Sequence, residues 1–145
     1  MSKNEIYQLL TNNPVFQLAT AEGDQPRVRG MLLYRADEKG IVFHTSNEKP
    51  LHAQIKQNPK VELCFFDMQK NAQVRISGVL EIIADNALKD EIYNHPTRAF
   101  LKGWRAAITD EEFYKGLIVF NLRHGKAALW TMETNFNNHS EIELD

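Results

Sequence analysis

The sequence predicts a mainly β fold with a few short helices, arranged as an antiparallel barrel or closed sheet. Three observations lead there. Runs rich in Val, Ile, Leu and Phe recur along the chain, and about seven of them have the length and composition of strands. Short polar turns of the hairpin kind separate most of them. The segments with helical spacing are few and brief.

At 145 residues the length predicts one domain with a real core. A composition of 43% hydrophobic and 25% charged residues is that of an ordinary soluble globular protein. The net charge of −2 argues against a nucleic-acid binder that works through bulk positive charge. The single cysteine, Cys64, sits in the apolar run Val61 to Phe66 and reads as a core residue, not a nucleophile. The chain begins without the basic and apolar regions of a signal peptide, and no apolar run reaches membrane length. The expectation is a cytoplasmic protein with no nucleic-acid or membrane partner.

Ser2 and Glu5 form a capping box ahead of Ile6, Leu9 and Leu10, which predicts a helix over residues 3 to 12. Val15 to Thr20 reads as a strand, and Glu22 to Gln25 as a hairpin turn. Arg27 to Arg35 follows as one strand, with Arg27 and Arg29 on a face opposite Val28. Gly30 within it suggests a bulge or a close approach to the backbone. Asp37 to Gly40 is the next turn.

Ile41 to Phe66 carries the chemistry. Ile41, Val42 and Phe43 suit a strand, and His44 to Asn47 read as the turn that ends it. Pro50 fits a first helical turn, Leu51, Ala53 and Ile55 give a narrow apolar face, and Asn58-Pro59 stops the helix. Val61 to Phe66 is a strand. Thr45, Ser46 and Lys49 at that helix N-terminus can hold an anion such as phosphate. The same residues also suit an ordinary strand-to-helix turn with a solvated lysine. Arg29 and Lys49 are expected on strands that a meander would bring side by side.

Gln73 to Ile83 predicts a long strand, bent or bulged at Gly78. Asp85 to Asn94 reads as a helix, and residues 97 to 108 as a broken helix or loop bearing Phe100 and Trp104. Thr109 and Glu112 form a second capping box, with Gly116 as a left-handed cap. Leu117 to Leu122 and Lys126 to Thr131 are strands about the turn His124-Gly125, and the acidic tail from Glu133 reads as loosely held. Trp130 reads as a core or interface residue. No dinucleotide-binding glycine motif, phosphate-binding loop or C-x-x-C occurs, and His44, His52, His95, His124 and His139 are scattered without metal-ligand spacing.

The order and spacing of four blocks resemble the pyridoxamine 5′-phosphate oxidase-related, FMN-binding split-barrel superfamily. The blocks are the N-terminal helix, VFQLATAEGDQPRVRGM, GIVFHTSNEKPLHAQIKQNPKVELCFF and QVRISGVLEII. The shorter general-stress and flavin-binding members look closest. The resemblance covers the chain to about Met132 and implies an antiparallel split β-barrel. It further implies a homodimer with FMN between the subunits, each site drawing residues from both.

Carried over by position, Arg29, Gly30 and Met31 lie along the flavin and its phosphate arm. His44, Thr45 and Ser46 contact the ring edge and ribityl chain. Lys49, backed by Pro50 and Leu51, contacts the phosphate. Gln73 reaches the cofactor from the partner, and Trp130 packs near the flavin across the interface. The implied activity is a flavin-dependent oxidoreductase on a small molecule, with a flavin or haem carrier or sensor as the alternative. Haem and a deazaflavin are the alternative cofactors. The family's oxidases carry a C-terminal motif with arginine and histidine for the substrate phosphate. Here the residues after Trp130, TMETNFNNHSEIELD, hold no arginine, so oxidation of pyridoxamine phosphate is not expected.

Overall fold

The computed structural model describes residues 1–137 and 141–144. Among these lie strands β1 (Val15–Glu22), β2 (Gln25–Leu32), β3 (Arg35–Asp37), β4 (Gly40–Ser46) and β5 (Lys60–Asp67). The later strands are β6 (Ala72–Ile83), β7 (Leu117–Leu122), β8 (Gly125–Thr131) and β9 (Glu141–Leu144). Five α-helices accompany them among the described residues: α1 (Lys3–Asn12), α2 (Pro50–Gln57), α3 (Asn86–Asn94), α4 (Lys102–Ala106) and α5 (Asp110–Gly116). A 3-10 helix, Pro96–Leu101, joins α3 to α4. No described helix is long and apolar enough to cross a membrane.

The hydrogen-bonded order is β2-β1-β5-β6-β7-β4-β3, with β8 on β6 and β9 on β8. Every pairing is antiparallel. The long strand β6 is the spine. Its first half pairs with β8 from Ala72 to Ser77, and its second half with β7 from Leu80 to Ile83. The partner changes at Gly78, where a Cβ would come within 3.1 Å of Leu122 Cδ2. Pairing with β5 stays one-to-one through that point, so Gly78 is a close approach and not a bulge. Among the described residues β2 pairs only with β1, and β4 only with β3 and β7, so the sheet stays open between β2 and β4. The result is an antiparallel split β-barrel.

The inner faces alternate as pleating requires. Phe16, Leu18, Phe43, Leu63, Phe65, Val74, Ile76 and Phe120 are all buried within the barrel. A second apolar cluster, with Val42, Ile92, Phe113 and Val119, packs the other face of β4 and β7 against the helices. Both predicted capping boxes form, at Ser2–Glu5 and at Thr109–Glu112.

Several expectations need correction. The strand expected over Arg27 to Arg35 ends at Leu32. Leu33 N–H then bonds Pro14 O (2.8 Å) and Tyr34 N–H bonds Val42 O (2.9 Å), carrying the chain from one edge of the barrel to the other. His44 to Ser46 do not form a turn; they continue β4 paired to β7. On α2 the buried partner of Leu51 and Ile55 is Gln54, whereas Ala53 is exposed. Gly116 is not left-handed; its missing side chain makes room for Trp104, whose ring a Cβ would meet at 3.0 Å.

The tail is also held more firmly than its composition suggests. β9 pairs with β8, and Leu144 is only 4% exposed at the edge of the barrel core. His139 lies outside the described residues. Leu144→Ala is expected to cost about 2 kcal/mol of stability, read as a lower denaturant midpoint. An unchanged midpoint would restore the loose tail.

Candidate functional site

Where the barrel is open, β2, β4 and the start of α2 enclose a groove. It consists of two cavities of about 660 Å³ and 470 Å³ that share Gly30, Met31, His44, Thr45 and Lys49 in their walls. The larger half adds Glu22, Arg27, Arg29, Pro50 and Gln54 and is charged. The smaller half adds Leu32, Phe100, Leu101, Trp104 and Leu117 and is mostly apolar. A groove of this size with one polar and one apolar end suits a ligand that is itself amphipathic.

The charged end is built by a hydrogen-bond chain. Arg29 donates through Nη1 to Thr20 Oγ1 (2.7 Å) and Leu18 O (3.3 Å), and through Nη2 to Gln54 Oε1. Gln54 Nε2 donates in turn to Glu22 (3.2 Å), and Arg27 pairs with the same carboxylate at 3.1 Å. The hydrogen bond from Arg27, with that from Gln54, holds the Glu22 carboxyl below its usual range. Its negative charge is thereby answered within the protein. Burial lowers the Arg29 pKa, followed by repulsion from Arg27, but a guanidinium starts so high that it stays charged. Lys49 is the N-cap residue of α2 and makes no side-chain cap bond. The helix N-terminus therefore opens beside an exposed ammonium.

Where the two halves meet stands His44. Arg98 Nε donates to His44 Nε2 at 2.8 Å. Arg98 is 1% exposed, and Nη2 and Nη1 bond Leu33 O (2.9 Å) and Thr97 Oγ1 (3.0 Å). Its charged plane also lies 5.3 Å from the Tyr34 ring centroid. Among the described residues no carboxylate pairs with it. Burial first, then the charges of Arg98 and Lys49, push the His44 pKa down to about 4. The imidazole is therefore neutral at pH 7.

Nine of the eleven predicted site residues line the groove: Arg29, Gly30, Met31, His44, Thr45, Ser46, Lys49, Pro50 and Leu51. The expected route was wrong for one pair. Arg29 and Lys49 do not lie on neighbouring strands; β2 and β4 are unpaired, and Lys49 belongs to the start of α2. Strand alternation also sets Thr45, 7% exposed, toward the barrel interior and opposite to His44 and Ser46. Gln73 and Trp130 are not in the groove. They face each other across β6 and β8, in line with Phe66 of β5 on the outside of the sheet.

Sequence reasoning missed Gln54 and Arg98. Gln54 had a local signal, since positions 51, 54 and 55 share one helical face. Arg98 had none, because His44 and Leu33, which it bonds, lie far away along the chain.

A family model described as pyridoxamine 5′-phosphate oxidase matches residues 2–126. A pyridoxine/pyridoxamine 5′-phosphate oxidase from Trichormus variabilis is 33% identical over 88 residues, covering 60% of this chain and 41% of that protein. The chain thus spans about two fifths of that relative's length. A solved NimC/NimA family protein from Clostridium acetobutylicum superposes with TM-score 0.77 at 23% identity, covering 99% of this chain and 94% of that one. A pyridoxamine 5′-phosphate oxidase-related, FMN-binding protein from Nostoc punctiforme gives TM-score 0.71 at 17% identity, covering 98% and 95%. At such identities these structures speak for the fold alone. Together with the match over residues 2–126, the open barrel and its cationic groove place this chain in the pyridoxamine 5′-phosphate oxidase family.

Proposed function

We propose that the groove binds FMN and that the protein is a flavin-dependent oxidoreductase acting on a small molecule. One observation carries this reading. Arg29 and the N-terminus of α2 lie at one end of a groove whose other end is lined by Leu32, Phe100 and Trp104, and Lys49 lines both halves. A dianionic phosphate fits the first end and a flat, largely apolar ring system the second. Gly30 leaves the β2 edge of the groove without a side chain, and a Cβ there would have only Gln17 Nε2 at 3.9 Å. Bound FMN would supply the electron chemistry, and the chain would bind it, orient it and shield it from water. The FMN-binding relative from Nostoc punctiforme supports the choice of cofactor.

The outer sheet face supports a homodimer. Register places Gly30, Gln17, Cys64, Arg75 and Ala128 in one row and Phe66, Gln73 and Trp130 in the next. Val15 and Val28 on the same face are 67% and 68% exposed. A second copy covering this face would bury them, and would bring Gln73 and Trp130 to the partner's groove.

Haem is less well served. Among the described groove residues His44 alone carries an imidazole, and its Nε2 is engaged by Arg98.

The test is an absorbance spectrum of the protein purified without added cofactor, followed by titration with FMN. Flavin bands or tight uptake support the reading; a Soret band or indifference to FMN overturns it. Arg29→Ala and Lys49→Ala are each expected to weaken FMN binding about ten- to a hundredfold, by removing a charge-assisted contact. Unchanged affinity in both would move the phosphate elsewhere.

A further inference from the structure

We infer that Arg98 is a positioning residue that locks His44 as its neutral Nδ1–H tautomer, so that the ligand atom seated against this ring is a hydrogen-bond acceptor. The ligand half of this inference rests on the proposed flavin site; the lock itself does not.

A guanidinium has N–H groups and no acceptor. At 2.8 Å from Arg98 Nε, His44 Nε2 can therefore only accept. A neutral imidazole has one proton, which must then sit on Nδ1. Free imidazole side chains favour the proton on Nε2, so the protein overrides the intrinsic preference. The override is rigid, because Arg98 cannot turn away. Its other groups are held by Leu33 O, Leu32 O and Thr97 Oγ1. Its plane lies against the Tyr34 ring and 5.9 Å from that of Phe100.

Burying a cation without a counter-charge is costly, and among the described residues no carboxylate offsets it. The cost brings the site two things: a fixed tautomer, and a positive charge that opposes protonation of the ring. His44 lines both halves of the groove, and among the described residues its Nδ1–H has no partner. It is a donor awaiting an acceptor, such as a ring carbonyl or an imine-type nitrogen. One role is excluded by the same geometry: with Nε2 occupied and the ring neutral, His44 is not a proton donor of the imidazolium kind at pH 7.

Nitrogen NMR on protein labelled at histidine tests the lock directly, with or without cofactor. The expected spectrum of the native chain has a pyridine-like Nε2 and a protonated Nδ1 for His44. A protonated Nε2, or an averaged pair, overturns the inference. Arg98→Met should release the ring to the Nε2–H or averaged pattern, and Arg98→Lys, which keeps a donor, should restore Nδ1–H. Should Arg98→Met fail to fold, the native spectrum still decides.

FMN titration tests the ligand half. An asparagine amide nitrogen falls near the position of Nδ1 and a glutamine amide nitrogen near that of Nε2. His44→Asn is expected to bind FMN about tenfold more tightly than His44→Gln, the worth of one hydrogen bond. Equal affinities overturn the acceptor assignment. A native chain that shows the Nδ1–H pattern but ignores FMN overturns the flavin reading and leaves the lock in place. A chain that binds FMN with Nε2 protonated does the reverse.

Discussion

Phe16→Ala is expected to lower folding stability by about 3–5 kcal/mol, a larger loss than that expected from Leu144→Ala. Phe16 is 1% exposed on β1. Its ring stacks on Phe65 at 4.6 Å and 19°, and meets Phe43 edge-on at 5.2 Å and 77°. Phe43 in turn contacts Phe120 at 5.4 Å. This aromatic row crosses the barrel interior and ties β1 to β4, two strands that are not neighbours in the sheet. Truncation removes the ring's transfer energy, leaves a void the rigid sheet cannot close, and deletes two aromatic contacts. Because β1 backs the groove strand β2 and β4 forms its other wall, the damage should reach function as well as stability. Denaturant unfolding at fixed pH measures it. A loss below about 1 kcal/mol would mean that the barrel interior is softer than its packing indicates.

The second large effect is a loss of stability on acidification. Burial, then the Arg98 and Lys49 charges, hold the His44 pKa at about 4 against an ordinary 6.5. The sign follows from proton counting. Below pH 6.5 the unfolded chain takes up a proton that the native state refuses, so acid favours unfolding. The stability is fully present above pH 6.5 and is lost as pH falls toward 4, about 3 kcal/mol in all. Unfolding midpoints measured across that window in the native chain and in His44→Gln should converge at low pH, the variant having the flatter profile. Parallel profiles would show that His44 titrates normally and that Arg98 does not guard it.

Much of the architecture was legible in one dimension. The hairpin turns at Gly23 and His124 take positive φ, 62° and 53°, as local turn chemistry requires. The capping boxes formed where Ser2–Glu5 and Thr109–Glu112 predicted them. Nine of the eleven candidate residues fall in one groove because Arg29 to Met31 and most of His44 to Leu51 are short contiguous stretches.

Other features were hidden for specific reasons. The end of β2 at Leu32 is set by hydrogen bonds to Pro14 and Val42, neither of which is a neighbour in sequence. The tail strand β9 forms because Leu144 finds an apolar seat beside β8, against the polar composition around it. Helical periodicity puts Gln54 on the buried face of α2, but the groups that satisfy its amide, on Arg29, Thr20 and Glu22, come from distant strands.

Local sequence sets the strand and helix segments, their capping and turns, and the placement of His44 and Lys49 just ahead of one helix start. These depend on side chains within a few residues of one another, where local sterics and hydrogen bonding suffice. Long-range packing leaves the barrel open between β2 and β4, brings Arg29 to α2, turns Gln73 and Trp130 away from the groove, and carries Arg98 to His44 across 54 residues of chain. Those outcomes depend on which strands pair and on which buried polar groups can satisfy one another. Both are settled by long-range packing, to which no single stretch of sequence has access.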